Sequence, residues 1–101
     1  MPTYEATPRF TADLDRLTPQ QRRRFHQIVT RAFVPDLRSL SNGSTFRPGL
    51  RIKRVQCARG VYELTWDGNG RATWQYGKAI LPGTQHIIWR RIGTHDILTG
   101  P

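Results

Sequence analysis

The sequence has few of the residues on which disulfides, metal sites and membrane spans depend. Its 101 residues include a single cysteine, Cys57, and three histidines without ligand-like spacing, so we expect neither an internal disulfide nor a bound metal. No apolar run is long enough to cross a bilayer, and the opening stretch MPTYEATPRF lacks the apolar core of a signal peptide. We therefore expect one cytoplasmic domain that works without a metal, a cofactor or a membrane.

Acidic residues and lysines are also scarce, whereas arginine is abundant. Sixteen basic residues stand against seven acidic ones, which gives a net charge of +9, and fourteen of the sixteen are arginine. The planar guanidinium of arginine suits phosphate better than the ammonium of lysine does. The positive excess is spread over both halves of the chain, and it predicts a polyanionic partner, either nucleic acid or an acidic protein segment. An arginine-rich solvated surface is the alternative.

The stretch from Leu50 to Leu98 is typical of an antiparallel sheet. The predicted strands are Leu50–Val55, Val61–Trp66, Arg71–Tyr76 and His86–Ile92. In the second and third strands apolar and polar residues alternate, and the turn Asp67-Gly68-Asn69-Gly70 between them suits a tight hairpin. The residues expected on the buried face of these two strands are Tyr62, Leu64, Trp66, Ala72, Trp74 and Tyr76. The pattern predicts four strands with one buried face.

Helix signals precede the sheet. Thr7-Pro8 and Thr18-Pro19 each place a capping threonine before a proline, and Gln21 stands where a capping box requires Glu or Gln. Apolar residues then repeat at helical spacing, which leaves Asp13 and other polar residues of the first helix on the outside. Pro35 predicts that the second helix ends or kinks near Phe33–Val34.

These elements predict an α/β (α+β) fold in which two N-terminal helices pack on a mainly antiparallel four-stranded sheet. The whole chain, residues 1–101, is expected to be one domain. A helical hairpin would occupy about residues 8–40, a loop residues 41–49 and the sheet residues 50–98.

The polar face of the sheet is the candidate active site. The residues expected to share it are Arg51, Lys53, Glu63, Arg71, Arg91 and His95, provided that the last strand stays extended through Gly93. RNA carries its own nucleophile, the 2′-hydroxyl, so its cleavage requires a base, an acid and stabilisation of the phosphate charge. Glu63 is the candidate base, His95 is the candidate acid because imidazole exchanges protons near neutral pH, and Lys53 and Arg71 are the candidate phosphate ligands. A cross-strand ion pair of Glu63 with an arginine of a neighbouring strand is the alternative.

A wider set of basic residues is expected to bind RNA. Its members are Arg51, Lys53, Arg54, Arg91, Arg22 and Arg23. Arg22 and Arg23 belong to a basic ridge on the second helix, and such a ridge also occurs as an ordinary solvated helix face.

The two best-defined sheet segments, GVYELTW at residues 60–66 and WRRIGTHDI at residues 89–97, follow a helical hairpin and a basic strand. In this arrangement the chain resembles the RelE/ParE superfamily, the toxins of bacterial type II toxin–antitoxin pairs, and in particular its branch of cytotoxic translational repressors. The resemblance covers about residues 8–98. It implies a RelE-like fold with two helices on a curved antiparallel sheet.

The resemblance also implies a function. RelE-type members cleave mRNA on the ribosome without a metal, whereas ParE-type members inhibit DNA gyrase, and a non-catalytic module that keeps only the antitoxin groove is a third alternative. Arg51 and Lys53 match the basic positions of the first strand, and His95 matches the late position that carries arginine or histidine. Glu63 stands where many relatives carry arginine, and Arg71 on the adjacent strand is the expected substitute.

The partners implied by the resemblance are mRNA, the ribosome and a cognate acidic antitoxin that forms a hetero-oligomer with the toxin. A partly disordered acidic segment of that antitoxin is expected to cover the basic face of the sheet and the helix ridge, since binding would order the segment and neutralise the charge together.

Overall fold

A computed structural model describes residues 2–101 and shows helices packed on one five-stranded sheet. The strands are β1 (Thr3–Ala6), β2 (Lys53–Arg54), β3 (Tyr62–Thr65), β4 (Gly70–Gly77) and β5 (His86–Thr94). The helices are α1 (Pro8–Arg16), α2 (Pro19–Ile28) and α3 (Val34–Ser39). The strand order is β1-β5-β4-β3-β2, and every pairing is antiparallel except β1 with β5. No helix within residues 2–101 is long and apolar enough to cross a membrane.

The predicted count of four strands is wrong by one, because β1 adds a parallel edge strand. The segment Thr3–Ala6 is too short to show an alternating pattern, and tertiary contacts place it in the sheet. The buried His86 ring accounts for much of this: Nδ1 lies 2.8 Å from the Thr3 hydroxyl and Nε2 lies 2.7 Å from the Glu5 carboxylate. A single histidine of β5 therefore contacts two residues of β1.

The first predicted strand, Leu50–Val55, is much shorter in the structure. Only Lys53 and Arg54 pair with β3. Pro48–Leu50 form a 3-10 turn, and Arg51 adopts a left-handed backbone with φ of 49°. A proline-initiated turn followed by a left-handed residue cannot continue a β-ladder, so strand pairing begins only after Ile52.

The helix starts follow the predicted signals. The Thr7 hydroxyl accepts a hydrogen bond from the Phe10 N–H, and Thr18 and Gln21 form a complete capping box at the start of α2. Beyond α2 the chain does not leave the helical path at Phe33–Val34. It passes through a π-helical turn, Val29–Phe33, into α3, where Pro35 lies in the first turn and its missing N–H is tolerated.

The main core lies between the helices and one face of the sheet. Phe10, Phe33 and Leu37 from the helical side are buried with Leu64, Trp66, Ala72, Trp74, Ile87, Trp89 and Ile92 from the strands. The predicted buried positions Leu64, Trp66, Ala72 and Trp74 are confirmed. Tyr62 is half-buried and Tyr76 is 40% exposed, because both lie where helical cover ends.

The opposite face of the sheet, here called the outer face, is also partly covered. After β5, His95–Thr99 form a 3-10 turn, and the chain then runs back against the sheet to a buried Pro101. We call residues 95–101 the strap. Ile97 of the strap is buried and packs closely over Gly93, where an added Cβ would lie 3.0 Å from the Ile97 Cγ2 atom.

The hairpin between β3 and β4 gives a direct test of the packing. A Cβ on Gly70 would lie 2.5 to 2.8 Å from the Trp66 indole, whereas a Cβ on Gly68 meets nothing within 4 Å. Because the indole is buried and cannot move freely, Gly70→Ala should destabilise the fold by about 1–3 kcal/mol, the usual cost of overpacking. Gly68→Ala, the matched control, should change stability by less than about 0.5 kcal/mol. Urea denaturation of both variants checks this, and equal stabilities would show that Trp66 does not fix the hairpin.

Candidate functional site

The strand register brings part of the predicted site into one row across the outer face. Lys53 of β2 pairs with Glu63 of β3, Glu63 pairs with Thr73 of β4, and Thr73 pairs with Arg91 of β5. Paired residues on neighbouring strands project from the same face of a sheet. Three of the predicted site residues and the unpredicted Thr73 therefore form a continuous polar row.

Glu63 and Lys53 form an ion pair at the open end of this row. The Lys53 Nζ atom lies 3.4 Å from Glu63 Oε1, and the Glu63 side chain is only 6% exposed whereas that of Lys53 is 69% exposed. The expectation of an outward, accessible Glu63 is thus corrected: the carboxylate faces outward from the sheet but is buried. A cross-strand ion pair of Glu63 is therefore formed, but its partner is Lys53 and not the arginine that the alternative expected.

Arg71 lies farther along the same face, whereas His95 lies beyond the last strand pairing. Arg71 pairs with Thr65 and Gly93, two positions from the row, and its Nη1 donates to the main-chain oxygens of Gly68 and Gly70 at 3.3 and 3.0 Å. His95 follows the end of β5 as the first residue of the strap turn, and it is exposed. The prediction that β5 stays extended through Gly93 is confirmed.

A β-bulge puts two arginines of β5 on the outer face. Thr73 pairs with Arg91 while Trp74 pairs with Trp89, so Arg90 is the extra residue. Arg91 was expected on the polar face and lies there. Strict alternation would have put it on the same face as the buried Trp89, and the bulge reverses the facing between them. The visible signal was the pair Arg90-Arg91 directly after a buried tryptophan, since two adjacent arginines break the alternation of a strand.

Arg91 is held by a carboxylate from the helical layer. Its Nε lies 2.6 Å from Asp13 Oδ2 and its Nη2 lies 3.1 Å from Oδ1, and Oδ2 also accepts the Ile92 N–H at 3.2 Å. Burial by itself raises the pKa of the Asp13 carboxyl, but these bonds and the charges of Arg91 and Arg16 outweigh it, so that the pKa lies below its ordinary value. Asp13 was predicted on the outside of α1, which is wrong, because the free edge of β5 beyond β1 needs an acceptor.

The remaining RNA-binding candidates are not gathered with this row. Arg51 and Arg54 are exposed near the β2 edge, and Arg54 pairs with Tyr62, so it belongs to the opposite face from Lys53. Arg23 is exposed on α2. Arg22 has a structural role instead, because its Nη1 donates to the main-chain oxygens of Leu14 and Leu17 at 3.4 and 2.7 Å and so ties the end of α1 to α2.

No local pattern in the sequence indicated which residues hold the strap. The Thr73 hydroxyl donates to the Pro101 main-chain oxygen at 3.2 Å, and Arg90 Nε donates to the same atom at 2.9 Å. Arg91 Nη1 donates to the Gly100 oxygen at 3.1 Å. The outer face therefore already binds two oxygen atoms of its own chain. Within residues 2–101 no group of three or more His, Cys, Asp and Glu side chains is placed to hold a metal ion.

Solved structures share the backbone fold of this protein over nearly the whole chain. YafQ from E. coli strain BL21(DE3) superposes with a TM-score of 0.60 at 15% identity, covering 99% of this chain and 100% of the YafQ chain. The chain has the fold of YafQ. YafQ within the E. coli DinJ–YafQ toxin–antitoxin complex gives a TM-score of 0.61 at 15% identity over 98% of both chains. The RelE-like fold predicted from the sequence is confirmed.

The protein HP0894 from Helicobacter pylori also superposes on this chain, with a TM-score of 0.54 at 12% identity over 95% of this chain and 97% of the HP0894 chain. No family model matches the sequence, and no curated protein matches it significantly. The YafQ likeness is therefore one of backbone architecture at low identity, and it shows the fold.

The Asp13–Arg91 contact predicts a pH-dependent stability. A carboxyl whose folded pKa is depressed stabilises the fold fully above its unfolded pKa of about 3.9, and this contribution is lost as the pH falls through the depressed folded pKa. At pH 7, Asp13→Asn should lower the free energy of unfolding by about 1.5–3 kcal/mol, the usual range for charge-assisted hydrogen bonds.

Urea denaturation between neutral and strongly acidic pH measures this difference. The gap between the wild-type protein and the Asp13→Asn variant should narrow as the pH falls below about 4. Asp15→Asn changes an exposed carboxylate on the same helix and should have an effect below about 0.5 kcal/mol. A gap that is constant with pH would mean that the Asp13 charge is not the stabilising feature.

Proposed function

We propose that this protein is the toxin of a type II toxin–antitoxin pair and that it acts as a metal-independent endoribonuclease that represses translation on mRNA at the ribosome. The observation that carries the proposal is the outer-face row of Lys53, Glu63 and Arg91, with Arg71 farther along the same face and His95 exposed just after the end of β5. The YafQ fold supports it, because YafQ forms a toxin–antitoxin complex with DinJ.

The residues of the outer face supply the groups that the reaction needs. The 2′-hydroxyl of the RNA attacks its own phosphate, so that the P–O bond to the next nucleotide breaks and a 2′,3′-cyclic phosphate forms. His95, exposed at the end of β5, would donate the proton to the leaving 5′-oxygen. Lys53 and Arg71 would stabilise the charge that builds up on the phosphate.

Glu63 would take the 2′-hydroxyl proton in this scheme. Its carboxylate is buried and paired with Lys53, so in this scheme the lysine turns toward the phosphate and releases the carboxylate. An incoming phosphate attracts the Lys53 ammonium by the same charge that Glu63 now supplies. Substrate binding would thus uncover the base, which makes activation depend on the ligand.

The charge supports an acidic protein partner. Among residues 2–101, Asp13, Asp36 and Glu63 form ion pairs with arginine or lysine, and Glu5 lies within hydrogen-bond distance of the His86 ring, so most of the few acidic residues already have a partner within the fold. The +9 excess is therefore left to an external anion. A cognate antitoxin with an acidic C-terminal segment would neutralise it in a hetero-oligomer.

The burial of Glu63 favours a second candidate. A ParE-like toxin that inhibits DNA gyrase, or a non-catalytic antitoxin-binding module, would not need an accessible carboxylate, and Glu63 would then only anchor Lys53 across the sheet. These alternatives differ from the nuclease in one measurable respect: they leave RNA intact.

Cleavage of ribosome-bound mRNA tests the catalytic proposal. His95→Gln should slow cleavage by about 10²–10⁴-fold, the usual contribution of one proton-transfer group, with no change in RNA affinity or melting temperature. Lys53→Ala should lower both affinity and rate, because its charge acts before and during the reaction. Mapped cut sites with 2′,3′-cyclic phosphate ends would identify the reaction.

His26→Gln provides the matched control, because His26 is an exposed histidine on α2. The His26→Gln variant should cut RNA at the wild-type rate. Unchanged cleavage in His95→Gln would remove the acid role from His95. Intact RNA with the wild-type protein, together with inhibited DNA supercoiling, would favour the gyrase alternative.

The salt dependence of RNA binding tests the electrostatic part of the proposal. Each phosphate neutralised on a single strand contributes about −0.7 to the slope of log affinity against log salt, so a site that holds several phosphates should give roughly −3 or steeper. Lys53→Gln, which removes the exposed charge of the outer-face row, should make the slope shallower by about 0.7. Arg59→Gln, which removes an equal charge from the adjacent exposed turn, should change it less. A flat response of the wild-type protein would indicate a protein-only target.

A further inference from the structure

The strap oxygens occupy a group of hydrogen-bond donors that the proposed reaction does not use. Thr73 Oγ1 and Arg90 Nε converge on the Pro101 main-chain oxygen, and Arg91 Nη1 reaches the adjacent Gly100 oxygen. Two neighbouring oxygens held by a hydroxyl and two guanidinium groups have the recognition pattern of a phosphodiester.

These donors are held in place from behind, independently of the strap. The Asp13 carboxylate forms two hydrogen bonds with Arg91, and the Gln75 side-chain oxygen accepts a bond from Arg90 Nη1. Thr73 is fully buried and lies between Glu63 and Arg91 in the strand register. If the strap oxygens withdrew, three oriented donors would remain without acceptors, and burial makes unpaired donors costly.

We propose that Thr73 and Arg90, together with Arg91, form a phosphate subsite that the last two residues of the strap keep occupied, and that RNA binds there by displacing them. The inference rests on the proposed function, since it takes single-stranded RNA as the ligand. The subsite lies beside Glu63, so it would hold a phosphate next to the one that reacts. The strap then acts as an internal competitor that reduces RNA affinity until it is released.

Shortening the chain after Thr99 tests the competition. This removes both strap oxygens and keeps the turn that carries His95. With a short 2′-O-methylated RNA, which cannot be cleaved by 2′-hydroxyl attack, the shortened protein should bind about tenfold more tightly if the strap is open in about one molecule in ten.

The Arg90→Gln substitution, made in both the full-length and the shortened protein, shows whether the higher RNA affinity of the shortened protein comes from the subsite. In the shortened chain it should weaken RNA binding about tenfold or more, the value of one charge-assisted hydrogen bond. In the full chain, where the strap occupies Arg90, the loss should be much smaller. Arg59→Gln in both lengths controls for the lost charge. Equal RNA affinities of the two lengths, with an equal Arg90→Gln effect in both, would overturn the subsite and leave the proposed function standing.

Absence of RNA binding in every form would instead contradict the proposed function. Inorganic pyrophosphate then tests whether the subsite binds phosphate without RNA. It should raise the melting temperature of the shortened protein but not that of its Arg90→Gln variant. No difference between these two would overturn the subsite as well.

Hydrogen exchange in the full-length chain provides a measurement that does not depend on the shortened protein folding. The Gly100 N–H now donates to the Ile97 oxygen at 3.1 Å. Binding of the 2′-O-methylated RNA should speed hydrogen exchange in the peptide that contains Gly100, because Gly100 and Pro101 leave the sheet. Slower or unchanged exchange there would show that RNA binds without displacing the strap, and the proposal would be wrong.

Discussion

The buried Asp13 carboxylate is the contact on which the arrangement of the outer face depends. It joins α1 to β5 at the point where β1 has ended and the edge of β5 would otherwise leave the Ile92 N–H without an acceptor. The same oxygen holds Arg91, whose other donor binds the strap. One carboxylate therefore completes the sheet edge, orients a candidate RNA ligand and supports the segment that covers the site. Because arginine keeps its charge at all accessible pH values, the strength of this contact varies only with the protonation of Asp13.

The bulge in β5 is the second constraint on the outer face. Without it, Arg90 and Arg91 would point to opposite sides of the sheet, and one of them would enter the core beside Trp89. The extra residue brings both guanidinium groups to the side that carries Glu63 and Thr73. This positions two fixed positive charges beside a buried carboxylate, an arrangement that suits a phosphate and also suits the strap. The proposed catalytic face and its internal cover thus have the same physical origin.

Much of the fold could be predicted from local residue patterns, whereas only part of the candidate site could. The Thr18–Gln21 capping box and the hairpin between β3 and β4 each depend on contacts within a few residues, and such contacts are encoded directly in the sequence. Lys53 and Glu63 were expected on one face, and the strand register pairs them. The burial of Glu63, the pairing of Asp13 with Arg91 and the strand β1 involve residues far apart in the chain, so no local pattern indicated them.

The sequence by itself determined the two capped helices, the strands rich in apolar residues and the excess of arginine, because capping, alternation and charge are properties of short segments. It also carried the resemblance that led to the RelE-like fold. The tertiary structure alone decided which polar groups face each other. His86 binds β1 to the sheet, and a bulge places Arg90 and Arg91 on one face. The strap then covers the part of that face where the two arginines lie. The physical reason is that most buried donors and acceptors take a partner wherever the fold provides one, and that partner need not be near in sequence.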